Sequence, residues 1–164
     1  MLSIRFNHIY TLFLAFSLSL LSGCTNKDPE PILIGKDSCH YCKMNISDSR
    51  FGGEIITPKG KVYKFDSLEC LYKFYNSSQN DLGDGTRLYL VNSLKAGNFI
   101  PAEEAYIVEN PNLRSPMGKG YFVAESSEKL KQVVSDLKAD QIMRWSDLAP
   151  KLLEVQSDGH SHEK

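Results

Sequence analysis

The sequence predicts an α+β fold: two similar ββαβ units packed together, behind a cleaved lipoprotein signal and a short tether. Three observations carry this. Two hairpin signatures, over residues 54–65 and 105–124, alternate polar and apolar residues as half-buried strands do. Each runs into a stretch whose apolar residues fall at helical spacing. The two halves also correspond at an offset of 59 residues, Phe65-Asp66-Ser67 with Ala124-Glu125-Ser126 and Glu69 with Glu128. One unit alone would bury too little apolar surface to be stable, so the two are expected to pack on each other.

Taken in order, residues 1–23 read as an address. Arg5 precedes an apolar run over residues 9–21, too short for a confident membrane span. The run ends in Leu21-Ser22-Gly23-Cys24, which resembles a bacterial lipobox, so Cys24 is the expected lipidation site. More than one acyl chain suffices for stable anchoring. The chain is thus expected on a bacterial membrane, inner or outer, facing the periplasm. Residues 24–36 contain Pro29 and Pro31 and read as an extended tether. At ~3.3 Å per residue it reaches at most roughly 50 Å, enough for a site on it to meet partners near the membrane.

Residues 37–155 form the domain, with units at about 37–93 and 99–148. Glu54-Ile55-Ile56-Thr57 and Lys61-Val62-Tyr63-Lys64-Phe65 are strands joined by a turn at Pro58-Lys59-Gly60. Asp66 reads as an N-cap, with Glu69 at the third helical position. The helix carries Leu68, Leu71, Tyr72 and Tyr75 on one face, widened by Phe74, and gives way to a loop over residues 80–86. Arg87-Leu88-Tyr89-Leu90-Val91 is the third strand. In the second unit, Ala105-Tyr106-Ile107-Val108 and Gly120-Tyr121-Phe122-Val123-Ala124 flank a long turn that ends in Ser115-Pro116-Met117-Gly118. A helix capped at residues 125–128 follows, with Leu130, Val133, Val134 and Leu137 as its apolar face. Residues 141–145 are the candidate closing strand. Residues 156–164 read as a disordered tail in which His160 and His162 can bind Cu(II) or Zn(II) weakly, though such tails are more often simply solvated.

Net charge is −1 and no basic stripe suggests nucleic acid. No Ser-His-Asp set, paired acid or phosphate-binding glycine loop offers catalytic chemistry, so the chain is not expected to be an enzyme. Its chemistry centres on Cys39-His40-Tyr41-Cys42-Lys43-Met44. Thiolate and thioether are soft donors that favour Cu(I) over hard cations. With Cys24 acylated, Cys39, Cys42 and Cys70 remain, an odd number in an oxidising compartment. One thiol stays free or a metal protects them, and Met44 fits the second reading better. Met117, at a tight turn on a related edge of the repeat, is a further candidate donor. Cys70 is a third thiol donor or a half-buried small side chain, since its counterpart is Lys129. His40 is a candidate by adjacency, competing with Cys39 for the geometry. Asp66 is accounted for by capping. Structural zinc lacks an evident fourth ligand. A Cys39–Cys42 disulfide, structural or belonging to a tethered thiol-disulfide oxidoreductase, stays open, although residues 45–50 are too polar and turn-rich for the helix a thioredoxin-like site needs.

The lipobox, the Cys39, Cys42 and Met44 spacing, and Val62-Tyr63-Lys64-Phe65-Asp66 running into a helix with Cys70 resemble the NosL family of copper-binding lipoproteins. So do the stretch from Phe99-Ile100-Pro101-Ala102 to Tyr106-Ile107-Val108 and the Ser115-Pro116-Met117-Gly118-Lys119-Gly120 turn. The similarity covers about residues 21–148. It implies two ββαβ units and a Cu(I) chaperone that delivers copper to a copper-accepting enzyme, nitrous oxide reductase for the best-known members. The His-x-His tail has no counterpart in the family pattern, and the tether is short.

Overall fold

The computed structural model describes residues 27–110, 112–134, 141–148 and 152. The signal segment, Cys24, Leu137 and the tail with His160 and His162 lie outside the described residues.

Two antiparallel sheets, each followed by a helix, make up the architecture. The first unit contains β1 (Gly53–Ile56), β2 (Val62–Phe65), α1 (Leu68–Leu82) and β3 (Arg87–Val91). A short strand β4 (Phe99–Pro101) and a 3-10 turn (Ala102–Glu104) lead into the second unit. That unit contains β5 (Tyr106–Glu109), β6 (Tyr121–Ala124), α2 (Ser127–Val133) and β7 (Ile142–Met143). The strand orders are β2-β1-β3-β4 and β6-β5-β7. The first strand of each unit is therefore central, flanked by its hairpin partner and by the strand after the helix. The 59-residue offset holds residue for residue where β2 ends at Phe65 and β6 at Ala124, and where α1 and α2 begin. Residues 99–101, expected to open the second unit, instead pair with β3 through Leu90 opposite Ile100, which extends the first sheet.

Strand register decides what is buried. Gly53 lies opposite both Phe65 and Leu90, and Ile55 opposite both Tyr63 and Leu88. On a pleated sheet these residues share one face. That face carries α1: a Cβ at Gly53 would lie 2.8 Å from the Leu71 side chain and 2.2 Å from the Tyr89 carbonyl oxygen. Leu68, Leu71, Tyr72 and Leu82 of the helix are buried, with Phe74 and Tyr75 packed at its margin. The burial of Leu82 carries the helix through the expected loop residues 80–82, and Gly83 ends it at φ 87°, where a glycine is needed. The same core takes in Ala105, Ile107, Tyr121, Val123, Met143, Leu148 and Leu152, so both units contribute to it. Ser93 stitches them further: its backbone N–H donates to the Val123 carbonyl and its Oγ accepts from the Val123 N–H, both at 2.9 Å.

Two further expectations are corrected. The N-cap of α1 is Ser67, whose Oγ accepts from the Cys70 N–H at 3.2 Å, and not Asp66. Ser126 caps α2 in the same way. Val133, expected on the core face of α2, is 53% exposed, because the helix ends there and Leu130 alone of its residues is buried.

The other face of the first sheet carries Glu54 and Ile56, both fully buried. Their cover is the segment 27–36, part of the stretch read from sequence as an extended tether. Arg87 Nη2 donates to the Lys27 carbonyl, and Lys27 Nζ to the Gly60 carbonyl. Glu30 N–H donates to Glu54 Oε2 at 2.9 Å, and Lys64 Nζ to the Pro31 carbonyl at 2.9 Å. Ile32 packs against the core. The segment is thus a strap that runs from the hairpin turn to the far end of β2.

Glu54 Oε1 has no hydrogen-bond partner among the described residues. Burial pushes its carboxyl up to about 7, against the opposing pull of the Glu30 N–H and Lys64. An acid whose folded pKa lies above its unfolded value binds more protons when folded. Stability therefore falls as pH rises from about 4.5 to about 7 and levels off above that. Glu54→Gln keeps an acceptor for Glu30 and removes the charge. The variant is expected to lose that slope and to gain on the order of 2 kcal/mol at pH 8, as denaturant unfolding across pH would measure.

Candidate metal centre

A tight knuckle carries the first two thiols. Asp37 and Ile46 close its base through the Ile46 N–H bond to the Asp37 carbonyl, and Ser38 bridges Asn45. Inside, Cys39 N–H donates to the Met44 carbonyl at 2.8 Å and Lys43 N–H to the Cys39 carbonyl at 2.9 Å. Lys43 takes φ 65°, a left-handed conformation that turns the chain back. This is a turn and not a helix N-terminus, so the feature that activates a thioredoxin-like cysteine is missing here.

The knuckle is pinned to the end of β2 by the His40 N–H bond to the Lys64 carbonyl, 2.8 Å. Asp66 follows two residues later and Cys70 four residues after that. Gly52, at φ 92°, permits the close approach behind them, since a Cβ there would lie 2.1 Å from the Phe65 carbonyl oxygen. The result is a group of four side chains, Cys39, Cys42, Asp66 and Cys70, whose sulfur and carboxylate atoms all lie within 4.8 Å of one another. Cys39, Cys70 and Asp66 are buried, and Cys42 is half-buried. All three thiols are free.

The protons in this group are shared unevenly. Cys70 donates to the Cys39 sulfur, and the Asp66 and Cys42 backbone N–H groups point at it too. Together they outweigh burial and bring Cys39 down to about 6. Cys70 moves the opposite way, because it is the donor and because it is buried beside Cys39. Burial also raises Cys42. Cys42 Sγ donates to Asp66 Oδ2 at 3.6 Å, while Asp66 Oδ1 is buried without a partner among the described residues. An orphaned buried oxygen costs about 1–3 kcal/mol, more if charged. The group therefore combines one thiol drawn down, two thiols pushed up and a buried Asp66 oxygen with no partner among the described residues. A cation fits that arrangement.

The remaining candidates sit elsewhere. The His40 ring packs edge-on against Tyr63 and Phe74 at 4.5 and 4.9 Å and lies outside the four-residue group. Burial lowers its pKa, helped by Lys43 and Lys61, which keeps the imidazole neutral. Met44 and Met117 are 50% and 37% exposed. The turn that carries Met117 is joined to the first turn of α1 through the Lys119 N–H bond to Glu69 Oε1, 3.2 Å.

Cys70, weighed from sequence as a third thiol donor or a half-buried small side chain, is fully buried and part of the group. Asp66 is the residue sequence reasoning missed. The signal was in the repeat: Glu125 and Lys129, the counterparts of Asp66 and Cys70, form an ion pair four residues apart. The same two positions therefore face each other in the first unit.

Replacing Cys70 with Ala removes the donor and is expected to raise the Cys39 pKa by about one unit or more. Cys70→Ser keeps a donor and is expected to leave it low. Ultraviolet thiolate absorbance followed against pH distinguishes them.

A model of the NosL family matches residues 32–153. The crystal structure of the copper chaperone NosL from Shewanella denitrificans is similar to this chain at TM-score 0.57 and 20% identity. The match covers 74% of this chain and 95% of that one. At that identity the likeness is one of fold. No curated protein matches the sequence.

Proposed function

We propose that this chain, which belongs to the NosL family, is a carrier of Cu(I), bound through Cys39, Cys42 and Cys70 and handed on to a copper-accepting enzyme. The observation that carries this is the convergence of three free thiols in one group. Soft sulfur donors select monovalent copper over hard cations. A monovalent ion also limits the charge introduced among buried groups, and its binding displaces thiol protons. Asp66, a hard oxygen donor, serves as acceptor for the Cys42 proton, not as a primary ligand. Met44, two residues after the half-buried Cys42, and Met117, both exposed, are the outer donors through which copper enters and leaves. His40, held among aromatic rings, shields the site.

Carriage, and not retention, follows from the openness on one side. Incoming donors can reach Cys42 first and displace the inner sulfurs in turn. The NosL copper chaperone of Shewanella denitrificans has the same fold, which supports the carrier reading, and the family resemblance makes nitrous oxide reductase the leading client.

A lipid on Cys24 would anchor the chain in the bacterial membrane, facing the periplasm. The docked strap shortens the expected leash: Cys24 is three residues from Lys27, about 10 Å at ~3.3 Å per residue. Lys27 lies at the hairpin turn and the thiols at the other end of β2. The site is therefore presented away from the bilayer.

Cu(I) titration against a competing chelator tests the reading. A Cys39→Ser, Cys42→Ser double variant is expected to bind roughly a thousandfold more weakly, about 4 kcal/mol. Unchanged affinity would refute the assignment. Reduction of insulin by the metal-free protein would favour a thiol-disulfide oxidoreductase instead.

A further inference from the structure

We propose that Glu69 is a positioning residue for the metal site: its carboxylate latches the 115–120 turn to the first turn of α1 and so holds Met117 at the mouth of the thiol group. The inference rests on the reading of Met117 as a copper donor.

Glu69 is buried, 5% exposed, and its Oε1 accepts from the Lys119 backbone N–H at 3.2 Å. The bond spans 50 residues and joins the two units. Glu69 immediately precedes Cys70, and Lys119 follows Met117 by two residues. One hydrogen bond thus connects the neighbour of a buried thiol to the neighbour of an exposed thioether.

The helix itself does not account for a buried glutamate here. Ser67 already caps α1. At the matching position of α2, Glu128 is exposed and bonds locally to Ser127. A first-turn glutamate supports the helix dipole equally well from the surface. Burying a carboxylate is costly unless hydrogen bonds compensate, and at Glu69 the Lys119 N–H is such a bond.

The turn transmits the constraint because it is stiff. Ser115 Oγ accepts from both the Gly118 and Gly120 N–H groups, at 3.1 and 3.0 Å. Gly120 takes φ 66°, and a Cβ there would lie 2.2 Å from the Asn110 carbonyl oxygen. Fixing Lys119 therefore constrains the backbone that carries Met117.

Two substitutions separate reach from charge. Glu69→Asp keeps the charge but is shorter by about 1.5 Å, one C–C bond, and loses the contact. Glu69→Gln loses the charge but keeps the acceptor. Cu(I) affinity, measured by chelator competition, is expected to fall about tenfold in Glu69→Asp, as outer-shell changes typically do, and to stay near wild type in Glu69→Gln. Met117→Leu is expected to give a similar loss, and Glu69→Asp added to it no further loss. Additive losses, or a Glu69→Asp protein at wild-type affinity beside a weakened Met117→Leu, would overturn the latch while leaving the donor assignment intact. Equal affinity of wild type and Met117→Leu would overturn that assignment and the latch with it.

Discussion

The hydrogen bond from the His40 N–H to the Lys64 carbonyl holds the cysteine knuckle against the end of β2, and the chemistry of the site follows from it. Without that docking, Cys39 would be a thiol on a loop and Cys70 a small side chain at the edge of a helix. With it, three sulfurs and a carboxylate share a space 4.8 Å across, largely shielded from water. Like charges cannot all be carried in such a space. Burial and hydrogen bonding separate the three thiols accordingly, drawing Cys39 down and pushing Cys42 and Cys70 up. Three of the four donors that a cation would meet there are soft sulfurs.

The repeat shows how the site was fitted to an ordinary scaffold. Both units place two side chains four residues apart at the start of the helix. In the second unit these are Glu125 and Lys129, which pair with each other at the surface. In the first they are Asp66 and Cys70, turned inward under the knuckle. The strap fixes the knuckle from the other side, since Gly35 N–H donates to the Ile46 carbonyl and Asp37 pairs with Lys64 at 2.8 Å. A single continuous segment therefore covers the outer face of the first sheet and supplies the first two thiols.

Most of the fold was legible in the sequence because local periodicity and the internal repeat agree. The hairpins, both helices and the ββαβ order follow from alternation, capping residues and the 59-residue offset. The cap of α1 was misplaced by one residue because Asp and Ser are both good caps, and only packing shows that Asp66 turns toward Cys42. Val133 was misplaced because helical spacing does not reveal where a short helix ends. The strap was missed because Pro29 and Pro31 mark an extended chain equally well whether it is docked or free. Glu54, set between a glycine and two isoleucines in a strand buried on both faces, was the available clue. The site was half legible. The Cys-x-x-Cys-x-Met spacing identifies soft donors, but the pairing of residue 40 with residue 64 is a tertiary contact with no local pattern. The burial of Cys70 and the part played by Asp66 depend on that contact.

The central claim is that buried sulfur, and not nitrogen or oxygen, holds the metal. Copper X-ray absorption on the Cu(I)-loaded protein addresses it most directly. A monovalent edge and a first shell dominated by sulfur are expected, with a lower sulfur count when Cys70 is replaced by Ser. A shell dominated by nitrogen or oxygen, or one indifferent to Cys70, would contradict it.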